Sequence, residues 1–290
     1  MANRKVKMTG DRSKMTSDRS KMTIYAQAFS GLMLRDLRVL SREIMPFMVR
    51  VAMNPLLFLF VFTYVMPHMS GGAGSPMASM MAAKGGFGTV LLPGLMAVAI
   101  MFSGIAAVAL PLSQEFGVTR EIDDRVMCPL PIGAVAIEKI VFSSIQSVIA
   151  AALVFPLAYY IPSTPVMAHV SSWPFLIAVL VLASLAAGAL GLTIGTSVQP
   201  KQIGLIFGVV VVPITFLGCV YYPWAALTSI KWLQIFVLVN PIVYMSEGLR
   251  AALTPTMGHM NSFAILTMLV FFVVLLTGLG MRGFRRRVLS

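Results

Sequence analysis

Six apolar stretches of membrane-crossing length, at approximately 47–67, 89–113, 140–162, 174–196, 203–222 and 263–281, leave this chain few ways to fold. A helix needs about 20 consecutive apolar residues to cross a bilayer, and in lipid its backbone groups must all be bonded within the segment. Barrel strands would alternate apolar and polar residues, and that period of two is missing, so the spans read as helices and the fold class as all-α integral membrane. Only 11% of the residues are charged and 58% are hydrophobic, where a soluble domain carries about 25% charge. Between the spans there is no G-x-x-x-x-G-K-S/T loop and no Gly-Lys pair at all. The phosphate-cradling loop of an ATPase is therefore absent from this sequence, which reads as a membrane pathway without its own motor.

The net charge of +12 raises nucleic acid as a partner, but the distribution excludes it. Eleven of the 22 Lys and Arg lie in residues 1–50, and Arg282, Arg285, Arg286 and Arg287 follow the last span. Charges that flank a membrane block mark its cytoplasmic side. With the N-terminus inside, the external segments hold only Lys84, Lys231 and Arg250, so both termini are expected in the cytoplasm of a multi-pass plasma-membrane protein. The two cysteines, Cys128 in a cytoplasmic loop and Cys219 in a span, imply no disulfide framework. The polar first 23 residues do not form a signal-peptide pattern. They contain the seven-residue repeat KMTGDRS-KMTSDRS-KMT, with one apolar position per repeat, and are expected to be a disordered basic tail. Met8, Met15 and Met22 within it are alternative starts to Met1.

Residues 24–45 differ. Tyr25, Phe29, Leu32, Met33, Leu37, Leu40 and Ile44 recur at helical spacing, and Arg35, Arg38 and Arg42 gather on another face. The pattern predicts a basic amphipathic helix lying on the inner membrane surface, either a docking element or a simple lipid anchor. Residues 232–253 are apolar enough for a seventh span, but Asn240-Pro241 interrupts the helix and Glu247 and Arg250 would sit in lipid. A seventh span would also place Arg285, Arg286 and Arg287 outside. A re-entrant or surface helical hairpin on the outer side fits better, since broken backbone survives at membrane depth only when protein or water covers it.

No carboxylate falls within the six spans as drawn, which argues against a proton relay. H-E-x-x-H, C-x-x-C and G-x-S-x-G are all absent, so no catalytic constellation is expected. The dense charge lies after the second span, where Glu115, Arg120, Glu121, Asp123, Asp124 and Arg125 fall within eleven residues before Pro129 and Pro131. This segment is either a short charged helix able to receive force from a soluble partner or a solvated loop. Ser184, Gly188, Gly191 and Gly195 on the fourth span, and Gly204 and Gly208 on the fifth, mark close helix packing, within the chain or across a dimer. Glu247 and Arg250, three apart, share a helix face and can pair, as an exit gate or as a structural pin. His68, His169 and His259 all fall outside and close to methionine, a donor set that suits Cu(I); with 22 methionines in the chain, chance proximity is the plainer account.

Four stretches carry a family resemblance: Ser41-Arg42-Glu43 before the first span, Leu92-Pro93-Gly94 opening the second, the loop from Glu115-Phe116-Gly117 through Arg120-Glu121 to Pro129-Leu130-Pro131, and Asn240-Pro241-Ile242-Val243-Tyr244 with Glu247 and Arg250. In this order the chain resembles permease subunits of type 2 ABC exporters, especially the daunorubicin-resistance-like branch, over about residues 24–287. The resemblance implies that two permeases, identical or paralogous, form a pathway at their interface. It implies two cytoplasmic ATPase subunits that bind ATP and Mg, with no cofactor in this chain. The helix at 24–45, with Arg38, Arg42 and Glu43, would be the connecting helix. The loop at 115–131 would hold the coupling helix, and Asn240, Pro241, Tyr244, Glu247 and Arg250 would cap the pathway outside. The family mostly exports drugs, lipids or glycans, and the repeat in residues 1–23 has no counterpart in it.

The expected function is thus an exporter permease embedded in membrane lipids and not itself an enzyme. Its cargo is amphipathic or lipid-like rather than highly charged. A permease of the same architecture serving copper-site maturation, and a membrane scaffold or sensor that transports nothing, are the alternatives.

Overall fold

The computed structural model describes residues 2–65, 87–119, 130–161, 168–256 and 258–288, and among these the regular structure is entirely helical. Helix α1 (Ala2–Arg42) breaks at Glu43 into α2 (Ile44–Leu59), which continues as a wide π-helical turn, Phe60–Val65. The amphipathic helix expected at 24–45 ends at this break. Its backbone instead extends back through the repeat, where composition predicts a tail without fixed structure. The repeat holds no proline, so nothing in it stops helical hydrogen bonding. Ala28, Phe29 and Leu32 pack against the core, and Leu40 and Phe47 are buried on either side of the break.

Among the described residues, four helices are long and apolar enough to cross a membrane: Gly88–Gly117, Ile132–Tyr160, Trp173–Ser197 and Ser262–Val288. They contain or coincide with α3 (Phe87–Gln114, extended by the wide turn Glu115–Thr119), α4 (Ile132–Tyr160), α5 (Trp173–Ser197) and α9 (Ser262–Val288). The other two expected spans are shorter. One is α2, and the other is α6 (Ile203–Phe216), interrupted by a π turn at Phe207–Val211. Of the six expected spans, four are thus long helices among the described residues and two are shorter apolar ones. Pro55 in α2 and Pro213 in α6 each remove a backbone donor from the short helices.

Before α9 the chain makes a bent pair, α7 (Lys231–Phe236, carried on by a 3₁₀ turn to Val239) and α8 (Pro241–Leu253), which meet at 100°. The helix break expected at Asn240-Pro241 forms there.

The long helices are layered around α5, which packs against α3, α4, α8 and α9. Within its most apolar window α3 is 72% buried and α9 only 22%. So α3 lies in the interior and α9 at the periphery, where its Phe263, Phe271 and Val274 are exposed. Lipid tails are as apolar as leucine, so close packing rather than expulsion from water must hold such helices together. Small residues do this on α5. A side chain at Gly188 would strike Ser143 of α4; at Gly191 it would meet the Ile105 Cα and carbonyl of α3 at 3.0 Å; at Gly195 it would meet Ala109 Cα at 3.1 Å. Gly204 and Gly208 on α6 carry the same signature, yet both are exposed and a side chain added at either would meet open space.

Gly191→Leu must separate α5 from α3 backbone and is expected to cost about 3 kcal/mol. Gly208→Leu should change stability by less than about 1 kcal/mol, helix propensity favouring leucine. Detergent unfolding of the two variants measures the difference, and equal losses would contradict the packing assigned here.

Candidate functional site

Among the described residues, charge is buried in two places, one at each end of α3. The first is the bent pair. Asn240 is held extended (φ −90°, ψ 120°) and begins α8, its Oδ1 accepting from the Ile242 N–H at 3.0 Å while its Nδ2 donates to the Ile214 carbonyl at 2.6 Å. Pro241 takes the first helical position, where no donor is needed. Tyr244 Oη donates to the Leu238 carbonyl at 2.9 Å, closing the bend from inside. The two sequence signals, an N-cap and a proline, thus stop one helix and start the next at an angle.

Residues 242–253 of α8 are all buried, including Glu247 and Arg250 at 0% exposure. Arg250 Nη1 donates to Glu247 Oε1, and Arg250 Nη2 donates to the Cys219 carbonyl at 3.1 Å. Glu247 Oε1 also accepts from the Trp224 N–H at 2.9 Å, and Oε2 from the Met260 N–H at 3.1 Å. Ser246 Oγ donates to the Gly218 carbonyl at 2.7 Å. One turn of helix therefore gathers the backbone of residues 218–224 and the approach to α9. In geometry this is a pin, with the ion pair inside it rather than facing an opening. Gly94 of α3, in the Leu92-Pro93-Gly94 stretch, lets the Val220 carbonyl approach, because a Cβ there would overlap it. On the far side His169 and Ser171 N–H donate to the Leu253 and Ala252 carbonyls, each at 2.9 Å.

The second place is where α3 ends. Glu115 opens the wide turn that extends α3, and its Oε1 accepts from Lys139 Nζ of α4 at 2.8 Å. Both side chains are buried. The third span expected at 140–162 starts eight residues too late, since α4 begins at Ile132 and carries Glu138 and Lys139 in its buried positions. Carboxylates therefore do lie inside the apolar helices, contrary to the expectation, because a hydropathy average trims a Glu-Lys pair from the end of a span. Next to Glu115, the Phe116 ring meets Phe284 edge-on at 6.0 Å and lies 4.9 Å from the Arg287 guanidinium. Arg287 also donates to the carbonyls of Gly195 at 2.9 Å and Val198 at 2.8 Å, at the C-terminus of α5. A cation is favoured there by the helix dipole and the unpaired carbonyls. The exit of α3 is thus clasped by α4, α5 and α9. Sequence reading missed Lys139, Glu138 and Arg287. A lysine about two turns inside an apolar helix, following a glutamate at the end of the previous span, was the available signal for the first.

The other expected residues divide. Arg38, Arg42 and Glu43 are exposed around the α1–α2 break. Arg120, Glu121, Asp123, Asp124, Arg125 and Cys128 lie outside the described residues, as does His68 with Met69, Met77, Met80, Met81 and Met167. His169 and His259 are exposed, and His259 Nδ1 lies 2.8 Å from the Met260 carbonyl. Among the described residues, no three His, Cys, Asp or Glu side chains converge as metal ligands.

The sequence model of the ABC-2 type transporter family matches residues 27–254, from the apolar face of α1 to the end of α8. No curated protein matches the chain.

Truncating one member of a buried ion pair leaves the other charge stranded. Glu247→Ala is expected to cost about 3–5 kcal/mol, and adding Arg250→Met should recover part of that loss. Unfolding of the single and double variants in detergent tests this; a loss under about 1 kcal/mol for Glu247→Ala would remove the pin.

Proposed function

The chain belongs to the ABC-2 type transporter family, and on that footing we propose that it is the membrane permease of an ATP-driven exporter, powered by separate cytoplasmic ATPase subunits. Its general role as a multi-pass, non-catalytic transporter subunit follows from membership. The daunorubicin-resistance-like branch, the direction of transport and a drug-, lipid- or glycan-like cargo are part of the proposal.

The observation that carries the coupling is the clasp at the end of α3. The charged segment beginning at Glu115 leaves the bundle from a base fixed by Lys139, Phe284 and Arg287. Force applied to residues 120–129 by an ATPase would therefore reach α4, α5 and α9 together instead of being lost in a slack loop. Arg38, Arg42 and Glu43, exposed at the α1–α2 break, supply further charge on what we take to be the same cytoplasmic face. Both termini are assigned to that face, as the Lys and Arg distribution favours.

We further assign six crossings, with α2 and α6 completing the four long helices. α2 with its wide turn runs to Val65. α6, at about 1.5 Å per residue, reaches only about 21 Å. Residues 217–223 supply the remainder in non-helical form, and Cys219 and Val220 there are fully buried. Irregular backbone at membrane depth is tolerated under such cover.

Among the described residues, α2 and α6 each expose an apolar face. On α2 it comprises Met45, Val49, Met53 and Leu57, and on α6 Leu205, Val209 and Val212 beside Gly204 and Gly208. A second permease copy, or a paralogue, packed on these faces gives the small residues of α6 a role and places an apolar pathway between the two chains. The bent pair, pinned by Glu247 and Arg250, caps that pathway on the external side. An apolar lining favours amphipathic cargo.

Reversing charge at Asp123 and Asp124 together, Asp123→Lys with Asp124→Lys, tests the coupling. Co-purified ATPase and permease-stimulated hydrolysis are expected to fall by about tenfold or more, as for like charges set against each other across an interface, with membrane insertion unchanged. Full retention of both would refute the assignment.

A further inference from the structure

A cavity of about 640 Å³ opens where α1, α2, α3 and α4 come together, a volume typical of sites for small molecules, roughly 300–1,000 Å³. Its walls carry Arg35 and Asp36 from α1, Glu43 at the break, Arg50 from α2, Glu115 from the end of α3 and Lys139 from α4. Three are cations and three are carboxylates. Glu115 and Lys139 are buried and bonded to each other, whereas Arg35, Glu43 and Arg50 are exposed. Charge of both signs therefore extends from the rim to the deeper wall. The rest of the lining is apolar: Leu40 and Phe47 beside the break, Leu110 on α3 and Phe142 on α4. The Arg50 guanidinium lies 6.0 Å from the centre of the Phe47 ring, so the two kinds of surface adjoin.

The charge pattern selects the ligand. A lone phosphate, or a lone cation, would meet as many like charges as opposite ones. A head group that joins a phosphate to an ammonium matches both sets at once. Carboxylates are acceptors only and call for N–H donors, which a primary ammonium has and a quaternary one lacks. The apolar lining and the amphipathic helix at the rim suit a ligand that carries acyl chains. We propose that this cavity binds the head of a phosphoethanolamine-type phospholipid drawn from the leaflet on which α1 lies. The phosphate faces Arg50, the ammonium faces Glu43, and the Glu115–Lys139 pair stays intact beneath them, with Arg35 and Asp36 adding charge of both signs to the wall. A lipid seated there bridges α1 and α2 to α3 and α4. The assignment rests on the membrane placement of α1 proposed above.

The test uses the full chain in nanodiscs made from equal parts of phosphatidylethanolamine, phosphatidylcholine and phosphatidylglycerol, followed by release and native mass spectrometry. One ethanolamine lipid per chain should be retained selectively. Arg50→Gln, at an exposed position that leaves the fold intact, should lower that retention about tenfold, the loss of a charge-assisted hydrogen bond. Ala107→Phe, which fills the cavity from α3, should abolish it. Equal retention of all three lipids, or retention that neither variant lowers, would overturn the site. Soluble glycerophosphoethanolamine should compete poorly; if it displaces the lipid at matched concentration, the ligand is a soluble zwitterion and the lipid assignment fails. Cysteines placed at Ser41 and Lys201 and labelled from one side of sealed vesicles separate the two levels. Labelling from the same side with no retained lipid removes the site alone, whereas labelling from opposite sides removes the membrane placement on which it rests.

Discussion

Glu247 is the residue on which the returning segment of this protein hangs. Between α6 and α9 the chain abandons regular helix several times, exposing backbone N–H groups that neither lipid nor the long helices satisfy. The Glu247 carboxylate accepts from two of them, at Trp224 and Met260, and neutralises Arg250, whose other nitrogen takes up the Cys219 carbonyl. A carboxylate can serve three donors at once, and in a dry interior each of these bonds is worth more than it is in water. Asn240 and Pro241 set the angle of the bend, but Glu247 ties its two sides together.

The same solution appears at the other end of α3. Glu115 and Lys139 let two polar positions sit inside apolar helices, and Arg287 stops the C-terminus of α5 with its guanidinium while covering Phe116. α3 is thus anchored by charge at its exit and by the Gly94–Val220 approach near its start. Between these points it is packed through small residues. An interior helix fixed at both ends suits a part that must carry displacement from one face of a membrane to the other.

Much of this was legible in the sequence. Apolar run length placed the four long helices, and Asn240-Pro241 with the three-residue spacing of Glu247 and Arg250 located the hairpin and its ion pair. The misreadings share a physical cause, which is that partners distant in sequence decide the outcome. Glu138 and Lys139 look like loop because nothing nearby marks Glu115, 24 residues earlier, as the mate of Lys139. Gly188, Gly191 and Gly195 look the same as Gly204 and Gly208, yet only the first three meet another helix. The final arginines, read as markers of topology, include one that caps a helix ninety residues away. The π turns that follow α2 and interrupt α6 are local backbone features that a hydropathy window averages over.

The account depends most on the bent pair returning to the face it left. Single cysteines at Ser229, before α7, and at Asn261, after α8, both exposed, can be labelled with an impermeant maleimide in cells after Cys128 and Cys219 are replaced by serine. A re-entrant hairpin on the outer side predicts that both label from outside. Labelling of one from outside and of the other only after permeabilisation would make the pair a crossing, move the final arginines outward and contradict the arrangement proposed for this permease.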